Sequence, residues 1–299
     1  MIVVFGSINL DLVVGVPYLP RAGETKTAHA FSTMPGGKGA NQALAARRAG
    51  SSVALFGAIG RDAFADSALA LLQHDGVGLD GVRVADAATG IALIHVDAGG
   101  ANTITVVPGA NAHVASDQVP ASLLGPAAIL LMQLETPVAE VTALARRARA
   151  RGARVVLNAA PMRALDDALL AAVDVLIVNE TEAAGLAASL ESPQSPAGLA
   201  AHFANRFGGA AIVTLGAAGL VFASNDAQLS LPSPRVDIVD TVGAGDALVG
   251  ALSAALDRST PWPRALREGV AAGALACTRP GAQAALPWRP EIASLADTI

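Results

Sequence analysis

From about residue 127 onward, short apolar runs alternate with longer segments whose apolar residues recur every three or four positions. Residues 127–131 read as a strand. Residues 137–149 read as a helix with Val138, Val141, Leu144, Ala145 and Ala148 on one face. Strands are predicted at 154–157, 173–178 and 211–215, with helices at 180–188 and 196–207. This βαβα rhythm predicts a three-layer α/β fold, a mostly parallel central sheet flanked by helices on both faces. In such folds ligands gather beyond the carboxyl ends of the strands.

The first hundred residues are less regular. Short strands are predicted at 11–16, 25–31, 91–96 and 103–107, with helices near 39–48 and 63–74. Strands drawn from two separate regions, about 11–34 and 89–108, can form a small sheet of their own. No shift in composition marks a linker, so residues 1–299 read as a single domain carrying that sheet as an insertion. The uncharged stretch 208–224 contains four glycines and reads as two buried strands around a turn, not as a membrane span.

Composition narrows the class. Apolar residues make up 53% of the chain and aromatics only 3%, so small aliphatic side chains must let helices pack close to the sheet. The formal charge of −5 comes with no basic block long enough to grip nucleic acid. Arg146, Arg147, Arg149 and Arg151 fall in the last turns of a helix stopping at Gly152, where they complement the helix dipole and face water. A single cysteine, Cys277, excludes an intrachain disulfide, fits a reducing compartment and reads as a small core residue. The amino-terminal run Met1-Ile2-Val3-Val4-Phe5-Gly6 has no basic flank and reads as a first strand, so a cytoplasmic, membrane-free protein is expected.

The chemistry concentrates in a few runs. Asp240-Thr241-Val242-Gly243-Ala244-Gly245-Asp246 follows a β-favouring run, Val236–Val239, and precedes a segment that reads as a buried helix. Gly243, Ala244 and Gly245 then offer backbone N–H groups and the positive end of a helix dipole to an anion, with little side-chain bulk in the way. Asp246 stands beside that anion site, an awkward place for a carboxylate unless it handles a proton. In Pro35-Gly36-Gly37-Lys38-Gly39-Ala40-Asn41-Gln42, glycines admit close approach and Lys38 and Asn41 add donors at a helix start, although a plain Gly turn reads the same way; the spacing is not that of a Walker A loop.

Asn9 and Asp11 follow the first strand and share a face, where both can reach one polyol or simply form a turn. Asn179-Glu180-Thr181-Glu182 is either a capping segment or a place where Asn179 and Glu182 approach Mg²⁺ through water. Glu135, closing Met132-Gln133-Leu134-Glu135, faces the same crevice. Thr278-Arg279-Pro280-Gly281-Ala282-Gln283 reads as a chain reversal after a helix of small residues.

Together and in this order, these motifs resemble the ribokinase/PfkB-type family of carbohydrate kinases across about residues 1–290. The resemblance implies a central sheet with a β-lid that also supplies a homodimer contact. It implies ATP-dependent phosphorylation of D-ribose at its terminal hydroxyl, giving ribose 5-phosphate. Asn9, Asp11, Gly37, Lys38, Asn41 and Glu135 match the family's sugar contacts, and Asp246 its base, at the Gly243–Gly245 anion hole. Asn179, Glu182, Thr214, Gly216 and Gly245 match the side that holds ATP and Mg²⁺. An activating K⁺ would lie at Asp240, Val242, Ala276, Arg279, Gly281 and Ala285, the last standing where the family often has a serine. Kinases of the same fold acting on a nucleoside, a ketose or a deoxy sugar acid remain open. A silent sugar-binding protein has no need of Asp246, and a dehydrogenase lacks its Gly-x-Gly-x-x-Gly fingerprint here.

Overall fold

A computed structural model describes residues 1–299. The chain runs β1 (Ile2–Phe5), β2 (Asn9–Gly15), β3 (Ala30–Gly36), α1 (Lys38–Arg48), β4 (Val53–Ile59), α2 (Ala63–His74), β5 (Gly78–Val84), β6 (Gly90–Val96) and β7 (Asn102–Val107). It continues through β8 (Ile129–Met132), α3 (Val138–Ala150), β9 (Arg154–Asn158), α4 (Asp167–Leu170), β10 (Val175–Asn179), α5 (Glu180–Ser189), α6 (Pro196–Phe207) and β11 (Ala210–Thr214). It ends with β12 (Leu220–Ala223), β13 (Gln228–Leu231), α7 (Ala244–Asp257), α8 (Trp262–Ala276) and α9 (Arg289–Ala296).

A nine-stranded sheet has the order β13-β12-β11-β10-β9-β8-β1-β4-β5. It is parallel from β5 to β11 and antiparallel only at the β11–β12–β13 edge. Alternation along buried strands feeds two cores. Ile2 and Val4 point into one with α1, α7 and α8, whereas Val3 and Phe5 point into the other with α3, α5 and α6. Helices α1, α7 and α8 are built largely of Ala and Gly. That composition brings α1 against α7 closely enough for side chains on one to reach side chains on the other.

The second sheet, β3-β2-β6-β7, is the lid expected from the early short strands. One of those strands is displaced from its expected place: pairing with β2 runs over Ala30–Gly36, not over 25–31, so the strand feeds straight into the Gly36–Gly37 turn. Residues 236–239 form no strand; Val239 N–H donates to the Cys277 carbonyl, and Ile238 and Val239 are exposed. Two strands of the main sheet, β4 and β5, and the edge strand β13 went unread in the sequence. Arg147 does not face water either: its guanidinium donates to the carbonyls of Ser116 and Val119, at 2.8 and 2.6 Å, and straps the loop before β8 to α3. Cys277 lies just past α8, partly buried instead of in the core. No helix is long and apolar enough to cross a membrane.

Candidate active site

The carboxyl ends of β1 and β8–β11 face the amino ends of α1 and α7, and nearly all the motif residues meet there. Gly243 caps α7 with φ 78°, a left-handed conformation that suits glycine and turns the chain sharply into the helix. The Ala244 N–H is donated to the Thr241 carbonyl at 3.3 Å, a correction to its expected place in the anion hole. Those of Gly243, Gly245 and Asp246 find no acceptor in the protein, so the helix start keeps three open donors.

Asp246 sits on the first turn of α7 and is only 8% exposed. Asn41 Nδ2 donates to its Oδ2 at 2.8 Å, and Gln42 Nε2 donates to its Oδ1 at 2.8 Å. Both donors come from the first two turns of α1. The carboxylate opens on a small cavity of about 120 Å³ shared with Lys38, Asn158, Glu182, Gly243 and Gly245. Lys38 makes no ion pair within 4.0 Å. Burial works against its ammonium, but the fields of Asp246, Glu135 and Glu182 outweigh that and push its pKa up, so it is a fixed cation facing the cavity. Burial raises the pKa of Glu182, against the opposing pull of the Asn179 N–H and of Lys38.

On the lid side, β2 carries Asn9 and Asp11 on one face, as their spacing predicts. Asn9 Oδ1 accepts from Asn111 Nδ2 at 2.7 Å, which fixes the Asn9 amide. Glu135 accepts from Ser7 Oγ at 2.5 Å and from the Lys38 N–H at 3.0 Å, tying the ends of β1 and β8 to the start of α1. Asp11 has its pKa raised to about 7, first by burial and then by Glu135 and Asp246, so the three carboxylates lie close enough to act on one another.

A sugar hydroxyl donates best to the ionised form of Asp11, so sugar affinity should rise with pH. The ionised fraction grows roughly tenfold between pH 6 and 8 for a group titrating near 7. Calorimetric titration of sugar should show a dissociation constant falling by about that factor, and Asp11→Asn should flatten the profile. The sign for stability is opposite. Because the folded pKa lies above the usual value, ionisation opposes folding progressively from about pH 4 to 7 and levels off above that.

A second cleft of about 630 Å³ joins the small cavity at Thr214 and Gly245. Its walls include Gly216, Val236, Ile238, Leu248 and Cys277, a mostly apolar slot suited to a flat base. Here the run misread as a strand becomes a wall. Asn179 and Glu182 form a complete capping box on α5, yet Glu182 still lines the small cavity, so the capping and functional readings coexist. A groove of about 790 Å³ lies at the opposite, amino ends of β8–β11; none of the motif residues reaches it.

Of the residues expected around a monovalent cation, Asp240, Val242 and Gly281 meet at the turn before α7. Asp240 accepts from the Val242 N–H at 3.0 Å and the Gly281 N–H at 2.9 Å, which locks the two loops together. Arg279 is ion-paired to Glu291, so only its carbonyl is available as a ligand, and Ala285 is fully buried. Gln283, two residues past Gly281, is 1% exposed with neither amide atom paired. A carboxylate and neighbouring carbonyls suit an alkali cation, although Ala285 contributes no hydroxyl. Sequence reading gave no role to Gln42, Gln133, Asn158 or Ser7; the first two stood inside motifs already singled out.

Residues 1–289 match the model of the pfkB family carbohydrate kinases, and the chain belongs to that family. It is 36% identical to the ribokinase of Haemophilus influenzae over 292 residues, covering 96% of this chain and 95% of that protein. It is 32% identical to a deoxyribokinase of Salmonella typhi over 291 residues, covering 96% and 95%. The fold superposes on an Arabidopsis thaliana ribokinase complexed with ribose and ATP, with a TM-score of 0.88 and 29% identity over 99% of this chain and 98% of that one. The protein is therefore an ATP-dependent sugar kinase.

Proposed function

We propose that this kinase transfers the γ-phosphoryl group of ATP to the terminal O5 hydroxyl of D-ribose, giving ribose 5-phosphate. The observation that carries the reading is Asp246, held by two amide donors beside three open N–H groups and in one cavity with the unpaired Lys38. Asp11, Asn9 and Glu135 fit the ring hydroxyls. The adenine fits the apolar cleft past Thr214, and the phosphates then point toward Gly243 and Gly245.

Asp246 accepts the proton of the sugar hydroxyl as its oxygen attacks phosphorus. An aspartate is a weak base toward an alcohol, which matters little if the transition state is loose and the proton leaves late. Most of the rate then comes from orientation and from Lys38 and the open N–H groups facing the charge on the transferred group. Glu182 and Asn179 are the residues that would hold Mg²⁺ through water, and such an ion neutralises charge between the phosphates. A K⁺ among Asp240 and the carbonyls of Val242, Ala276, Arg279 and Gly281 would brace the turn, more weakly without a hydroxyl at Ala285.

A coupled ADP assay over ribose, 2-deoxyribose, fructose and a nucleoside tests the acceptor. Ribose should give the highest kcat/KM; a nucleoside or deoxyribose preferred by tenfold or more would move the assignment to a sister kinase. The lid sheet supports a homodimer. It exposes Phe31 (66%) on one face and Ile104 (56%) on the other, the face of Asp11, apolar side chains that a second copy would cover. Phe31→Asp combined with Ile104→Asp should halve the mass read by sedimentation equilibrium; an unchanged mass would place the contact elsewhere.

A further inference from the structure

Asp246 is not held by α1 alone; the residue that holds it is itself held. Gln42 is fully buried. Its Nε2 donates both to Asp246 Oδ1 at 2.8 Å and to Asn158 Oδ1 at 2.9 Å. Its Oε1 accepts from Gln133 Nε2 at 2.6 Å. Asn158 Nδ2 in turn donates to the Ile177 carbonyl at 3.1 Å on the neighbouring strand, so its oxygen must face Gln42. Each end of the Gln42 amide is therefore specified from a different strand of the main sheet: Asn158 closes β9, and Gln133 directly follows β8.

A flipped Gln42 would set its oxygen against both the Asp246 carboxylate and the Asn158 oxygen. Gln133 and Asn158 exclude that arrangement. Gln133 is also fully buried, and its Oε1 finds no donor and lies against Gly6. An unpaired buried oxygen is costly, so the amide needs a reason to be kept there. Orienting Gln42 gives this glutamine a use.

We infer that Gln42 is a positioning residue for phosphoryl transfer, set by Gln133 and Asn158, which fixes the plane of the Asp246 carboxylate so that one oxygen stays turned to the acceptor hydroxyl. The inference rests on the reading of Asp246 as base. With Asn41 on Oδ2 and Gln42 on Oδ1, the carboxylate cannot swing about its terminal torsion, which is otherwise broad for aspartate. Buried as it is, Gln42 acts on the reaction only through Asp246.

The test is a rapid-quench single-turnover experiment with ATP and ribose, which reads the chemical step apart from product release. Gln42→Met keeps the volume and removes the donor. It should slow phosphoryl transfer roughly 10–100-fold while leaving the KM for ribose within threefold. Gln42→Glu keeps the shape and sets a second acid against Asp246. Like charges at that distance favour a shared proton, so the acid limb of the pH–rate profile should move up by about one unit or more. On an Asp246→Asn background, Gln42→Met should change the residual rate less than twofold.

A transfer rate for Gln42→Met within twofold of wild type would overturn the inference. So would an equal loss in both backgrounds, which is what a merely structural role would give. If Gln42→Met does not fold, the pH profile of Gln42→Glu decides alone, and an unmoved acid limb overturns the proposal. Should Asp246→Asn itself turn over at the wild-type rate, the base assignment fails and Gln42 falls with it. A slow Asp246→Asn beside a fast Gln42→Met removes only Gln42.

Discussion

Asp246→Asn should lower turnover roughly 10²–10⁴-fold, the usual scale for removal of a general base. The substitution nearly preserves shape, but the new amide has one oxygen where the carboxylate had two. Only one of the Asn41 and Gln42 donors can then be satisfied, and the other faces an N–H group. A loss of about 1–3 kcal/mol in stability should accompany the kinetic effect, as for other buried donors left without a partner. Calorimetry should still find ribose bound, because Asp11, Asn9 and Glu135 are untouched. The kinetic and thermal effects separate readily: below its midpoint of unfolding, the variant should be folded, ligand-competent and slow. A kcat within threefold of wild type would remove Asp246 from the chemistry.

Gly250→Val should cost far more activity than its position outside the cavity suggests. A Cβ at this position in α7 would press on Ala45 Cβ, with Ala46 N and the Gln42 carbonyl each 2.8 Å away, and backbone cannot yield as a flexible side chain can. Overpacking of this kind costs typically 1–3 kcal/mol. Its consequence here goes further, because relief requires α1 and α7 to move apart, and α1 carries both donors to Asp246. The variant should therefore lose activity out of proportion to its lost stability.

Leu199→Ala in α6 supplies the comparison: it empties space in the opposite core layer and costs about 2–5 kcal/mol without touching the α1–α7 contact. Assayed well below both midpoints, Gly250→Val should be slowed at least tenfold and Leu199→Ala hardly at all. Equal activities in the two would show that the α1–α7 spacing is not what places the donors.

Much of this was legible before any coordinates. The helices read near 63–74 and at 196–207 have those bounds in the structure, where Asp62 and Ser195 cap them and apolar residues line one face. The Gly-Ala-Gly turn and the buried helix behind it were readable because alanines and leucines without charges leave no solvent-facing stripe. Residues 236–239 misled for the converse reason. Val236, Ile238 and Val239 favour a strand by propensity, yet no neighbouring strand offers partners, and the apolar side chains serve a cleft. The lid strand at Ala30–Gly36 was missed in part because Ser32, Pro35 and Gly36 carry no strand signature; its pairing is dictated by β2.

The site divided along a similar line. Residues of obvious chemistry, Asp246, Lys38, Asp11 and Glu135, stood out by type and context, whereas Gln42, Gln133 and Asn158 did not. A buried amide acquires meaning only from what lies opposite it, and here the partners come from α1, the end of β8, β9 and α7, up to 204 positions apart in the chain. No spacing rule connects such residues.

A crystal structure with ribose and a non-hydrolysable ATP analogue tests the central geometry most directly. The ribose O5 should lie within about 3 Å of an Asp246 carboxylate oxygen, the reach required of a general base. The terminal phosphoryl group should rest on the open N–H groups of Gly243 and Gly245 with Lys38 beside it. A ternary complex with O5 turned away from Asp246, or with the phosphates held elsewhere than at the start of α7, would contradict it.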